Sequence, residues 1–174
     1  LEEKEIESIL QWRRSFMHEY IRQWYRKGFP CHGAWHGRDL TGVCWVRTDR
    51  VVMSDIDLNA ALDQGSVYFF DAFTHPRYRG KSVQPNLCAH ICSDLVTQGY
   101  TLGLRATLPD NRSALRAHAK AGFFPYALVG RFAIGPVKRY FVHRRKGGVG
   151  RKLPPAPAFP GPRHFGKRPG TFAS

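Results

Sequence analysis

Residues 67–84 read VYFFDAFTHPRYRGKSVQ, and the fold turns on how this stretch divides. Val67 to Thr74 is rich in β formers and almost continuously apolar, as a central strand buried on both faces would be. Asp71 breaks that run, and a carboxylate there is costly unless it is paired or faces a cleft. The basic turn HPRYRGK follows at 75–81. Leu87, Cys88, Ile91, Cys92, Leu95 and Val96 then recur at helical spacing as far as Gly99. Ser82 is the expected N-cap, and Pro85 is tolerated in a first turn whose N–H groups lack helical partners. A turn entering a helix presents unpaired N–H groups and the positive end of the helix dipole. Arg79 and Lys81 add formal charge, so the segment can hold an anion. By itself it is equally an ordinary basic turn.

Towards the N-terminus, Ile6, Ile9, Leu10, Met17, Tyr20, Ile21 and Trp24 form one stripe, which predicts a single helix over 5–27 ended by Gly28, Phe29 and Pro30. A hairpin is expected next, from 34–36 through a turn at 37–39 into 40–48, with Val43 and Trp45 alternating with Cys44 and Val46. Residues 51–65 give no clear pattern. Beyond Gly99 the pattern predicts a strand at 100–107, a helix at 111–121 stopped by Gly122, and a strand pair at 123–133 and 137–143 about Gly135-Pro136. The order is that of an α/β (α+β) domain with a mixed sheet.

The second informative stretch is NRSALRAHAKAGF, Asn111 to Phe123. Asn111, Ala114, Leu115 and His118 lie near one helical face. Taken with the first stretch, it resembles the GNAT superfamily of acyl-CoA-dependent N-acetyltransferases. There a central strand leads into a V-x-P-x-x-R-G-x-G-x-G/A turn and a helix, and later into an N-x-x-A/S-x-x-x-Y-x-K-x-G-F helix. The first motif appears here as Thr74, Pro76, Arg79, Gly80, Lys81, Ser82, Val83 and Gln84. The second appears as Asn111, Ala114, Lys120, Gly122 and Phe123, with His118 where the family often has Tyr. The resemblance covers roughly residues 34–143.

It implies a largely antiparallel central sheet flanked by helices and splayed at the CoA site. The cofactor would be acetyl-CoA or a related acyl-CoA, with its pyrophosphate on backbone N–H groups of Arg79 to Gln84. A backbone N–H near Phe73 or Thr74 would polarise the thioester carbonyl. Asn111 would meet the pantetheine arm, and Lys120 completes the cofactor-binding set. A primary amine, on a small molecule or a peptide, would attack directly without an acyl-enzyme. His118 would protonate the departing thiolate, and Asp71, on the strand beside the acyl site, is the expected base. Ser82 and Gln84 depart from the family's small residues. The bulkier Gln84 is expected to narrow the site or tilt the cofactor and to weaken binding relative to a glycine-rich turn. The family's first strand has no equivalent ahead of the first helix. A homodimer is also allowed for.

Cys31, Cys44, Cys88 and Cys92 make no dense disulfide framework, so a reducing cytoplasmic setting is expected and no metal site is. No run of about 18 apolar residues occurs, and no charged-then-apolar leader opens the chain. Of the net charge of +14, none comes from residues 1–110, where 13 acidic residues balance 13 Lys and Arg. Residues 111–174 carry 14 Lys and Arg and no acid. The expected division is a domain over 1–145 and a basic Pro/Gly-rich tail over 146–174, the tail suited to an anionic partner. Two other readings stand beside the enzyme: a nucleic-acid or acidic-polymer binding module, and a GNAT-like protein that binds CoA without catalysis.

Overall fold

The strand Asp39–Arg47 is buried from Leu40 to Val46 without a break, so it must lie between two packed layers. One layer takes Cys44 and Val46, with Ala34, Val67, Phe69, Leu87, Ile91 and Leu95. The other takes Val43 and Trp45, with Ile6, Ile9, Leu10, Ile21 and Leu40. The period of two in a strand puts alternate residues on opposite faces, and apolar side chains on both faces require a helix layer on each.

The computed structural model describes residues 1–135 and 137–144, and the expected tail lies outside them. The elements are α1 (Glu3–Trp12), α2 (His18–Arg26), β1 (Cys31–His36), β2 (Asp39–Arg47), β3 (Arg50–Met53), β4 (Leu58–Ala61) and β5 (Ser66–Thr74). They continue with α3 (Val83–Thr97), β6 (Leu102–Arg105), α4 (Arg112–Lys120), β7 (Ala127–Ile134) and β8 (Val137–Arg144). The central sheet runs β1-β2-β5-β6. Its first two ladders are antiparallel and the last, β5 with β6, is parallel. This is the mixed, largely antiparallel sheet with helices on both faces that the sequence implies. The β5–β6 ladder stops at Phe69–Arg105, and β5 runs on to Thr74 without it, which opens the splay.

One expectation needs correcting, and two segments gain detail. The single first helix is two, broken at Arg13, which is extended (φ −105°, ψ 151°). The unread segment after β2 is a short antiparallel hairpin, β3 with β4. The final strand pair forms a two-stranded sheet of its own. Among the described residues no helix is long and apolar enough to cross a membrane.

On β1, burial pulls the His32 imidazole down to about 4 against the opposing charge of Asp94. An unfolded chain protonates histidine near 6.5, as free imidazoles do. The unfolded state therefore gains protons first, and stability that is complete above about pH 6.5 is lost as the pH falls towards 4. Replacing His32 with Gln should flatten that part of the pH dependence of the urea midpoint; an unchanged slope would remove His32 as its source.

Candidate active site

The end of β5 is shaped by one extra residue. Phe73 pairs with Val43 and Phe70 with Trp45, so Asp71 and Ala72 together face Cys44. This bulge holds Asp71 in the left-handed region at φ 42°, which Asp tolerates better than most side chains. The inserted residue reverses the facing of everything after it. Ala72 packs with Phe69 on the α3 face, and Phe73 joins Phe70 on the α1 face.

Asp71 is anchored by Arg13, whose Nη1 donates to Oδ2 at 3.0 Å and Nη2 to Oδ1 at 2.5 Å. Both side chains are nearly buried, 10% and 12% exposed. Burial raises the Asp71 carboxyl, and the Arg13 guanidinium opposes that rise. Asp71, the base expected from its place on the strand, is thus held in an ion pair. Arg13 went unread because it sits inside a helical stripe; the break that frees it has no Gly or Pro to announce it. Its guanidinium also lies 4.5 Å over the Phe73 ring, and that of Arg79 lies 5.6 Å from the same ring.

The turn after β5 fits a diphosphate. Gly80 (φ 76°) and Ser82 (φ 56°) are both left-handed. A Cβ on Gly80 would meet nothing within 4 Å, so the backbone faces open space. Ser82 occupies the N-cap position, but its side chain makes no capping bond and the first turn holds no acid. The N–H groups at the start of this 15-residue helix are therefore left for a ligand. Arg79 and Lys81 are exposed beside them.

Gln84 does not narrow this cradle. Its Nε2 donates to the carbonyls of Phe73 (2.8 Å) and Val43 (2.9 Å). It bridges β2 and β5 where the bulge disturbs their ladder, and one buried oxygen, its own Oε1, stays without a partner. Both carbonyls belong to the ladder pair Val43–Phe73, so the amide braces the two strands from the side. Gly42 permits the arrangement: a Cβ there would meet Val83 Cγ1 at 2.7 Å and Phe73 O at 3.3 Å. The bond from Gln84 ties the phosphate cradle directly to the strand end at Phe73 and Thr74.

Across the splay a second group assembles. Arg105, the last residue of β6, donates to Cys88 Sγ at 2.8 Å, with Cys44 Sγ at 3.8 Å. Cys88 is pulled below the ordinary thiol value by the hydrogen bond from Cys44 and by Arg105; Cys44 is pushed up by that same bond and by burial. The guanidinium stands 5.7 Å from the Phe123 ring, and His118 stands 6.3 Å from the ring too. Burial and the Arg105 charge draw His118 down to about 4. It is held as a neutral imidazole at pH 7. Asn111 caps α4, its Oδ1 accepting from Ala114 N (3.1 Å) and Ser113 Oγ (2.9 Å). Lys120 is exposed in the last turn of the same helix. Neither is drawn to the strand end. Among the described residues no group of His, Cys, Asp and Glu is arranged to hold a metal.

A parallel strand pair that parts beside an uncapped helix start is the frame of an acyl-CoA site. A family model described as the acetyltransferase (GNAT) family matches residues 2–123, and the chain belongs to that family. It is an N-acetyltransferase by family, and acetyl-CoA, its acyl donor, supplies the acetyl thioester. Solved structures of the same fold include a ribosomal-protein-S18-alanine N-acetyltransferase from Escherichia coli (13% identity, 74% of this chain and 77% of that chain, TM-score 0.56). Another is the aminoglycoside acetyltransferase AAC(6')-Ib in complex with coenzyme A and kanamycin (17%, 84% and 92%, TM-score 0.56). A third is an aminoglycoside acetyltransferase from an uncultured soil metagenomic sample, in complex with sisomicin (12%, 77% and 91%, TM-score 0.55). At these identities the likeness establishes the fold. No curated protein matches the chain.

Two outcomes test this local design. Arg13→Met should cost about 3–5 kcal/mol by stranding a nearly buried carboxylate. Adding Asp71→Asn should recover part of that loss in a double-mutant cycle, whereas strict additivity would mean that the pair is not coupled. Ser82→Gly should gain about 1 kcal/mol by relieving the left-handed backbone. Gln84→Gly should instead lose about 1–3 kcal/mol by removing both bonds of the bridge; thermal melts without ligand decide both, and a stabilised Gln84→Gly would refute the bridge.

Proposed function

We propose that the protein transfers an acetyl group from acetyl-CoA to a primary amine by direct attack at the end of β5. The observation that carries this reading is the Gln84 bridge, which fixes the open start of α3 to Phe73 at 2.8 Å. Phosphate held at Arg79 to Gln84 and a carbonyl polarised at Phe73 or Thr74 would then keep a constant separation.

In the proposed step the amine nitrogen forms a bond to the acetyl carbon and the carbon–sulfur bond breaks, with its electron pair leaving on sulfur. Asp71 is committed to Arg13, so the amine proton passes to water. The neutral His118 N–H donates a hydrogen bond towards the leaving sulfur, and the fixed charge of Arg105 behind it favours an anion there. Asn111 and Lys120 border the arm of the donor from α4. Acceptors of the kinds named for the similar structures, an aminoglycoside or an alanine of ribosomal protein S18, are the first to try.

Thiol release from acetyl-CoA across a panel of amines tests the reading, with thermal shift by acetyl-CoA alongside. Stabilisation without turnover on any amine would favour the non-catalytic CoA binder; no stabilisation would count against a CoA site. His118→Ala should lower kcat by about 10–100-fold, the worth of one hydrogen bond to a charged group. The kcat profile of the native enzyme should show no limb near pH 6.5 that this substitution removes. Full turnover in the variant, or loss of such a limb, would take His118 out of this role.

A further inference from the structure

All four cysteines are free thiols, and two of them share one guanidinium. Arg105 Nη1 donates to Cys88 Sγ at 2.8 Å, and Nη2 to Cys44 Sγ at 3.8 Å. The Cys44 thiol in turn donates to Cys88. The Cys88 sulfur thus receives two hydrogen bonds, one of them from a fixed cation, and such donors favour its anionic form. The Cys44 bond first and then the Arg105 charge bring this thiol down to about 7, against its burial. Neither sulfur has a part in acetyl transfer as proposed above.

The other two cysteines are set apart from this pair. Cys31 packs on the α1 side of the sheet, whereas Cys44 packs on the α3 side. Cys92 lies one turn beyond Cys88 on α3. Side chains four apart on a helix hold their Cβ atoms about 5–6 Å apart, and a disulfide needs about 3.5–4.5 Å. Burial pushes both thiols up, Cys92 to about 12. The one sulfur hydrogen-bonded to Cys88 from a separate element is that of Cys44, on β2.

Cys44 and Cys88 are fully buried, which keeps out bulky thiol reagents. The β5–β6 ladder ends at Phe69–Arg105, and Arg105 is half-buried there rather than sealed. An oxidant little larger than water can approach along its guanidinium.

We propose that Cys88 and Cys44 form a peroxide-reactive dithiol, in which Arg105 holds Cys88 as the attacking thiolate and Cys44 closes the disulfide. The Cys88 sulfur attacks one oxygen of hydrogen peroxide. The O–O bond breaks, and the other oxygen leaves as hydroxide, which takes the Cys44 proton and becomes water. Cys88 is then a sulfenic acid. The Cys44 sulfur attacks the Cys88 sulfur, the S–O bond breaks, and the departing hydroxide takes up the proton that Cys88 released on ionising. Two thiols and one peroxide give one disulfide and two waters. The new bond ties α3 to β2. The proposal is independent of the acetyltransferase reading.

The full chain, reduced and freed of reductant, is exposed to hydrogen peroxide, quenched with catalase and unfolded before its thiols are counted. The count should fall from four to two, and peptide masses should place the crosslink between Cys44 and Cys88. At pH 7 the native chain should lose this pair about tenfold faster than the chain unfolded in urea loses any thiol, because only the fold supplies the donors that favour a thiolate. Cys44→Ser should form no crosslink and leave Cys88 carrying added oxygen. Cys88→Ser should keep all its remaining thiols. A count that stays at four overturns the proposal, as does a crosslink through Cys31 or Cys92. A native rate no faster than that of the unfolded chain overturns it as well. The native chain decides the pairing and the rate whether or not either variant folds.

Discussion

The site depends on one unfavourable backbone conformation. A regular β5 would present Asp71 and Phe73 to the α3 face, burying a carboxylate in the apolar cluster around Phe69. One inserted residue removes that conflict. With Asp71 at φ 42°, the carboxylate reaches Arg13 on the α1 side, and Ala72 takes its place on the α3 side. A left-handed non-glycine residue costs roughly 1–2 kcal/mol. An unpaired buried carboxylate would cost several. The bulge is the cheaper state, and it carries further requirements with it. Arg13 must be free of the helix, which breaks α1 from α2. The ladder beside the bulge is braced by Gln84, which donates from α3 to the carbonyls of Val43 and Phe73. Gly42 must stay bare so that α3 can come close enough to do so.

The sequence revealed the parts of this design that follow from periodicity and misread those that follow from pairing. The strand at 67–74, the helix after it and the closing hairpin were legible because their apolar residues repeat at spacings that only one element type satisfies. Asp71 was legible as a problem but not as a solution, because its partner lies 58 residues away. Gln84 was misjudged for the same reason. By position it belongs to the phosphate turn, and by contact it belongs to the sheet. Ser82 was placed at the helix start, but its left-handed backbone, which prevents the usual extended N-cap geometry, has no signature in residue type. Residues 51–65 hid a hairpin because two four-residue strands are too short to show alternation.

His118 shows how a motif position can keep its place and change its chemistry. A tyrosine there would bring its own acidic hydroxyl. An imidazole takes its protonation state from its surroundings, and here Arg105 and burial hold it neutral, down to about 4. The same guanidinium is satisfied by thiols rather than carboxylates, and a thiol is a weak acceptor whose worth rises steeply as it ionises. Arg105 therefore favours sulfur anions in its vicinity, and it adds to the Cys44 hydrogen bond in lowering Cys88. In the proposed reaction a sulfur anion leaves beside His118. A carboxylate partner for Arg105 would have neutralised that field. With thiols as its hydrogen-bond partners, the half-buried Arg105 keeps its charge at the mouth of the splay.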